Sequence, residues 1–215
     1  MVARLLEGVR HAAIGAASPI PATGAFLKRE KDKALRISLL QKREGNPFTE
    51  GSRELFDLAG QGRIDAFFLG GAQIDGAANI NLVAAEGRRF PGSFGSAYMY
   101  PVVRNVVLFR EEHSRRVLVP RVDFVSAAGN PRALLTGRAL FAWDQEKRRF
   151  RLESVHGGWT VDEVRQNTGF DFDLAAGVRE TPPPSAAELA LLRGPVARII
   201  AADYPEFARK VWGNA

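Results

Sequence analysis

The chain has 215 residues, 46% of them hydrophobic, with a formal net charge of +6 and no cysteine. It is long enough to bury a core, and it has neither a disulfide scaffold nor a thiolate metal site. No apolar run reaches the roughly 20 residues of a membrane-spanning helix. Its three histidines, His11, His113 and His156, stand far apart without ligand spacing, so no metal site is expected. The basic residues are spread rather than striped and are not interleaved with aromatics, which argues against nucleic acid. A modest positive field suits an anionic small ligand instead. The N-terminal segment is interrupted by Glu7, Arg10 and His11, so it lacks the apolar centre of a signal peptide and reads as that of a soluble cytoplasmic protein.

In chain order, Val2 to His11 reads as a short helix with Leu5, Leu6 and Val9 on one face. Ala12 to Ala17 reads as a buried strand of small residues. Ser18-Pro19-Ile20-Pro21 starts a helix from Ala22 to about Glu30. The charge run Lys28 to Lys33 is expected to be its solvated end. Leu35 to Leu40 is the next strand, and it runs into the polar loop Gln41-Lys42-Arg43-Glu44-Gly45-Asn46. Thr49-Glu50-Gly51-Ser52 caps a helix from Arg53 to Gln61, closed by Gly60 and Gly62.

The stretch from Ile64 to Ser96 organises the rest. It opens as a buried strand, Ile64 to Leu69, and breaks at Gly70-Gly71 into the polar turn Gln73-Ile74-Asp75-Gly76. Asn79 and Asn81 follow, and then a second glycine turn, Gly92-Ser93-Phe94-Gly95. Glycines just past a buried strand let backbone N–H groups come close to a ligand. In open α/β sheets that is where ligands sit. The alternative is two ordinary turns. If they form one cradle, Asp75, Asn79 and Asn81 serve to fix the loops by side-chain to backbone hydrogen bonds.

Arg104 to Phe109 is a buried strand, followed by the charged turn Arg110 to Arg116. Val117 to Val119 and Val122 to Ser126 read as short strands separated by Pro120. Ala133 to Trp143 and Arg149 to Val155 form a hairpin across Asp144 to Lys147, and His156 anchors its end. Thr160 caps a helix from Val161 to Asn167. Phe170 to Asp173 is a last short strand. Thr181 to Pro184 is rigid and extended, and Ser185 with Glu188 forms the capping box of C-terminal helices that read as an arm over 181–215. Strand–helix alternation followed by strand-rich sequence predicts one α/β domain over 1–215, with an open, mixed, mainly parallel sheet flanked by helices.

The run Gly71-Ala72-Gln73-Ile74-Asp75, then Asn79-Ile80-Asn81, resembles the B (beta) subunit of family I coenzyme A transferases of the glutaconate CoA-transferase type. Gly92-Ser93-Phe94-Gly95 corresponds to that family's G-x-G-G turn, with Phe94 in place of a glycine. The resemblance continues through Val122 to Ser126, Leu152 to Gly158 and Asn167 to Phe170. It implies a CoA-transferase-like fold and an A (alpha) subunit of similar fold as partner. It also implies acyl-CoA and a carboxylic acid as substrates, with no tightly bound cofactor. Family members carry a nucleophilic glutamate in an S-E-N-G or E-x-G turn after the second strand, and Glu44, which directly precedes Gly45, is the candidate here. Gly95 is the candidate oxyanion donor. Gly70, Gly71, Gln73, Asp75, Asn79, Asn81, Gly92, Ser93 and Phe94 are the candidate CoA-binding residues.

Three functions follow from this pattern. The first is a CoA-transferase subunit working through a glutamyl-CoA intermediate. The second is a subunit of the same fold that hydrolyses a ring carbon–carbon bond of an acyl-CoA, as relatives lacking the glutamate do. The third is a non-catalytic partner subunit.

Overall fold

The structure is a computed structural model that describes residues 1–213 except 41, 43–47, 49 and 86. The candidate Glu44 lies outside the described residues. The chain divides into two compact units, Met1–Phe67 with Pro183–Ala215, and Phe68–Pro182.

The first unit begins with α1 (Val2–Leu5), β1 (His11–Ile14), α2 (Pro19–Lys31), β2 (Arg36–Leu39) and α3 (Ser52–Gly60). β3 (Ala66–Leu69) starts here and carries the chain into the second unit. β1 and β2 pair in parallel from His11↔Arg36 to Ile14↔Leu39. All four residues of β1 are buried. Its small alanines allow α2 to lie close, and Gly24 of α2 lies so near Val2 that a Cβ there would overlap it. α2 starts at Pro19, three residues before the expected Ala22. Proline suits a first helical turn because the missing N–H would have had no partner there.

The charge run at the end of α2 is not wholly solvated. Lys28 is buried, and its ammonium meets Glu7 Oε2 at 2.9 Å and Asp32 Oδ2 at 3.4 Å. Two carboxylates around one ammonium make its burial tolerable. His11 is buried too. Its Nε2 meets Ser38 Oγ at 2.8 Å and its Nδ1 meets the Arg63 carbonyl at 3.0 Å, which ties three segments together.

The second unit continues with β4 (Gln73–Asp75), β5 (Ile80–Asn81), β6 (Ala84–Ala85), β7 (Arg88–Arg89), α4 (Ser96–Val102) and β8 (Asn105–Arg110). It then adds β9 (Leu118–Val119), β10 (Ala133–Thr136), β11 (Ala139–Asp144), β12 (Arg149–Val155), α5 (Val161–Gln166) and β13 (Asp173–Glu180). Its main sheet runs in the order β13-β12-β11-β10-β8-β3, and the first unit's strands run β3-β1-β2. β8–β10 and β12–β13 are parallel, and β10–β11 and β11–β12 antiparallel. The unit also holds a small sheet, β5-β4-β9, and the hairpin β6–β7. The fold is the expected α/β class, a mixed, mainly parallel sheet flanked by helices, with helices at the C-terminus.

Three local expectations in this unit need correction, and one helix was not anticipated. Ala133 to Trp143 is not one strand. Gly137 turns it into the β10–β11 hairpin, and this glycine approaches the Glu111 carbonyl too closely for any Cβ. Val122 to Ser126 is not a strand, because its backbone is taken by side chains of the β4–β5 hairpin. The last strand starts at Asp173 rather than spanning Phe170 to Asp173. Phe170 and Phe172 are drawn instead into an aromatic cluster, with ring centroids 5.6 Å from Phe150 and 5.1 Å from Phe141. α4 has no helical signature in the sequence, since Pro101 lies inside it.

The core of this unit contains a buried imidazole. His113 Nδ1 meets Thr136 Oγ1 at 2.8 Å, and its Nε2 meets Thr168 Oγ1 at 3.0 Å. Burial pushes its pKa down to about 4. The ring therefore works as a neutral bridge between β10 and the end of α5.

The chain returns to the first unit with α6 (Ala186–Arg193), α7 (Pro195–Asp203) and α8 (Pro205–Trp212). α6 and α7 pack on α2. The capping boxes at Thr160/Glu163 and Ser185/Glu188 are both formed. Glu188 also reaches Lys31 at 2.8 Å, and that hydrogen bond, with the Ser185 N–H, holds its carboxyl down at about 2. Among the described residues, no helix is long and apolar enough to cross a membrane.

Candidate functional site

The hairpin β4–β5 turns through Gly76-Ala77-Ala78, and Ala78 takes a left-handed φ of 61°. Asp75 makes that turn. Its Oδ1 accepts the N–H groups of Ala77 and Asn79, both at 3.0 Å. Its Oδ2 accepts Asn79 Nδ2 at 3.1 Å and the Val122 N–H at 3.3 Å. A carboxylate receiving four N–H groups is solvated by the protein itself, which makes its burial tolerable.

Asn81 does the same for the next turn. Its Oδ1 accepts from Val83 N at 3.0 Å and Ala84 N at 3.3 Å. Its Nδ2 donates to Gln73 Oε1 at 2.9 Å and to the Ala84 carbonyl at 2.6 Å. Gln73 Oε1 also accepts the Asp123 N–H at 3.0 Å. Ser126 closes the arrangement: its Oγ donates to the Ile80 carbonyl at 3.0 Å and accepts the Leu82 N–H at 2.9 Å. The structure thus brings Gln73, Asp75, Asn79 and Asn81 together, and spends their side chains on holding loops.

Gly71 explains itself at this point. A Cβ there would stand 2.8 Å from the Gln73 carbonyl and 3.4 Å from the Ile80 side chain, so only glycine lets the chain double back into β4. At Gly70 a Cβ would come 3.3 Å from the Phe109 carbonyl of β8.

The second glycine turn leads into α4, which is tied to the same hairpin. The Tyr100 hydroxyl donates to the Ala78 carbonyl at 2.8 Å. Burial, and then the Asp75 carboxylate, push the Tyr100 phenol far up, so it stays a donor. In the turn itself Gly92 has φ 109° and Phe94 φ 46°, and the Ser93 carbonyl accepts the Ser96 N–H at 2.8 Å. Gly95 precedes α4 and is buried, yet its N–H finds no acceptor among the described residues. Buried backbone donors are nearly always paired.

Other residues singled out in the sequence serve the fold. Arg115 Nε donates to the Gln166 carbonyl at 2.8 Å, and Arg116 pairs with Glu112. His156 anchors its turn, with Nδ1 at 2.8 Å from Thr181 Oγ1 and Nε2 at 3.0 Å from the Thr136 carbonyl. The Gly169 N–H reaches the Leu118 carbonyl at 2.7 Å, with no room there for a Cβ. The roles of Tyr100 and Ser126 were missed.

An α/β sheet with glycine turns just past a buried strand has the layout of open α/β folds, in which ligands sit beyond the carboxyl ends of the strands. The match is more particular: residues 23–167 fit the Coenzyme A transferase family, and the chain belongs to it. It is 30% identical over 162 residues to the B subunit of the 3-oxoadipate CoA-transferase of Pseudomonas knackmussii, covering 66% of this chain and 62% of that protein. It is 29% identical over 163 residues to the IpdB subunit of the cholesterol ring-cleaving hydrolase of Rhodococcus jostii, covering 66% and 62%. The solved IpdAB structure from Rhodococcus jostii matches with a TM-score of 0.77 at 25% identity, over 90% of each chain. The decarboxylase AibA/AibB matches with a TM-score of 0.75 at 25% identity, over 89% of this chain and 91% of that one. The chain thus spans 62% of the length of the two curated relatives described.

Proposed function

We propose that this chain is the B subunit of a two-subunit CoA-transferase, which moves coenzyme A between an acyl-CoA thioester and a carboxylic acid. Family membership and the likeness to the B subunit of a 3-oxoadipate CoA-transferase support this reading. The observation that carries the site is the Gly95 N–H, without an acceptor among the described residues, beside a hairpin whose own side chains are satisfied. A fixed backbone donor suits the carbonyl oxygen of a thioester, whose charge grows as the carbonyl is attacked. Gly70, Gly71, Gly92 and Ser93 would let the backbone approach the ligand. Gln73, Asp75, Asn79 and Asn81 would hold those loops in place. The acyl-CoA is read as the substrate of a cytoplasmic enzyme, with an A-type chain as partner.

Glu44 is the proposed nucleophile. Its carboxylate attacks the thioester carbonyl and expels CoA thiolate, leaving a mixed anhydride of the glutamyl and acyl groups. The thiolate then attacks the glutamyl carbonyl and releases the acyl group as a carboxylate, leaving a glutamyl-CoA thioester. The acceptor acid runs the same two steps in reverse. The test is to combine the chain with its A-type partner, add acyl-CoA and treat with borohydride or hydroxylamine. Modification at Glu44 is expected. Turnover in the presence of the second acid with Glu44 unmodified would overturn the assignment.

The likeness to a ring-cleaving hydrolase subunit, at almost the same identity, is consistent with a second reading, hydrolysis of a carbon–carbon bond in an acyl-CoA. Water would then replace the second acid. Product release without any added carboxylic acid would decide for it.

A further inference from the structure

Phe94 is unusual in both its backbone and its side chain. Its φ of 46° is left-handed, a region that disfavours residues with a Cβ. Its ring is 79% exposed, more than any other exposed large hydrophobic residue described. Strain of this kind collects where a side chain must be aimed. Tyr98 and Val102, 43% and 37% exposed, follow at four-residue spacing and so share one face of α4. Phe124 and Val125 are 51% and 49% exposed. Their segment is fastened to the hairpin that also holds α4, through the Val122 N–H on Asp75 and the Tyr100 hydroxyl on Ala78. Five of the eight exposed large hydrophobics among the described residues therefore lie on two segments braced by one hairpin.

We infer that Phe94 is the residue that selects the acyl group, and that the group it accepts is an apolar hydrocarbon chain or ring. The inference rests on the preceding reading, in which the Gly95 N–H receives the acyl carbonyl. Phe94 Cβ and Gly95 N are three bonds apart, so roughly 3 Å separates them. A carbonyl held by that N–H brings the first carbons of its acyl chain within contact reach of the phenyl ring, about 4 Å. An apolar chain gains by covering the exposed ring. A short dicarboxylic acyl group would bring its free carboxylate against the electron-rich face of the ring, which repels it. Tyr98, one turn further along α4, extends the same apolar wall for longer groups.

The experiment uses the complex of this chain with its A-type partner, as wild type and with F94G and F94A. The kcat/KM and calorimetric Kd are measured for cyclohexanecarbonyl-CoA, octanoyl-CoA and succinyl-CoA. The preference for the two apolar substrates over succinyl-CoA is expected to fall about tenfold or more in both variants. F94G should keep or raise the Tm, since glycine adopts this φ without strain. An unchanged preference in an active complex overturns the inference and leaves the transferase reading standing. Folded variants that no longer join the A-type partner overturn it in favour of an inter-subunit contact. A wild-type complex that binds none of the three acyl-CoAs overturns both readings.

Discussion

Two loops of the second unit treat their polar groups in opposite ways. Between Gln73 and Ala84, Asp75 and Asn81 each take up four hydrogen bonds, and almost all of these stay within the loop and its neighbours. Between Gly92 and Gly95, a buried N–H is left without an acceptor among the described residues, a phenylalanine takes a glycine's conformation, and its ring faces water. The first loop is braced and the second is presented. Polar residues in a motif thus need not touch a ligand. The ones that look chemical here are the scaffold, and the ones that look like plain turn residues carry the candidate chemistry.

The largest effect should come from the presented turn. Gly95→Val should lower kcat by roughly 10² or more, because a β-branched residue blocks close approach of the carbonyl. Its Tm should move by no more than about 2 °C. Steady-state kinetics with a melting curve tests both, and full activity in an assembled complex would break the contrast. The braced side should respond in stability. Asn81→Ala leaves the Val83 and Ala84 N–H groups and Gln73 Oε1 short of partners, which should cost about 1–3 kcal/mol. A urea midpoint that does not move would show that water replaces the side chain.

Acid should act on the scaffold and spare the turn. The folded-state pKa of His113, about 4, lies below the ordinary 6.5. The unfolded chain therefore binds more protons between those values. Stability is fully present above pH 6.5 and is lost as pH falls toward 4, by an amount of up to about 3 kcal/mol. His11 and His156, both lowered by burial, act in the same direction. Urea midpoints measured from pH 7 to pH 4 should fall, and His113→Gln should flatten the curve. The smallest effect belongs to the first unit, where Ser185→Ala should cost about 1 kcal/mol by removing the N-cap of α6. Chemical denaturation resolves it.

How much of this was legible in the sequence depended on whether the cause was local. The buried strand before Gly70, the Thr160 cap, the Ser185/Glu188 capping box and the hairpin β11–β12 follow from short-range pattern, and they formed as expected. The bracing role of Asp75 and Asn81 was legible because Asx side chains reach backbone two to four residues away. The misplaced elements depend on distant partners. Gly137 breaks a strand because it lies on Glu111, and Val122 and Asp123 give their backbone N–H groups to Asp75 and Gln73 across some 50 residues. Phe170 and Phe172 read as strand residues, but pack as part of an aromatic core supplied by β11 and β12. The candidate site was legible as a set of turns. Its donor without an acceptor among the described residues and its strained aromatic needed coordinates.

β13 forms one border of the sheet, and its composition guards it against self-association. Among the described residues, only one of its sides is hydrogen-bonded to a strand, so the other is a template on which another chain could add. Gly177 takes φ 76° in mid-strand, the register with β12 slips, and Asp173, Arg179 and Glu180 put charge along the ladder. A kinked, charged border is a poor seed for edge-to-edge growth. A chain built to expose apolar side chains elsewhere thereby keeps its sheet from becoming the site of aggregation.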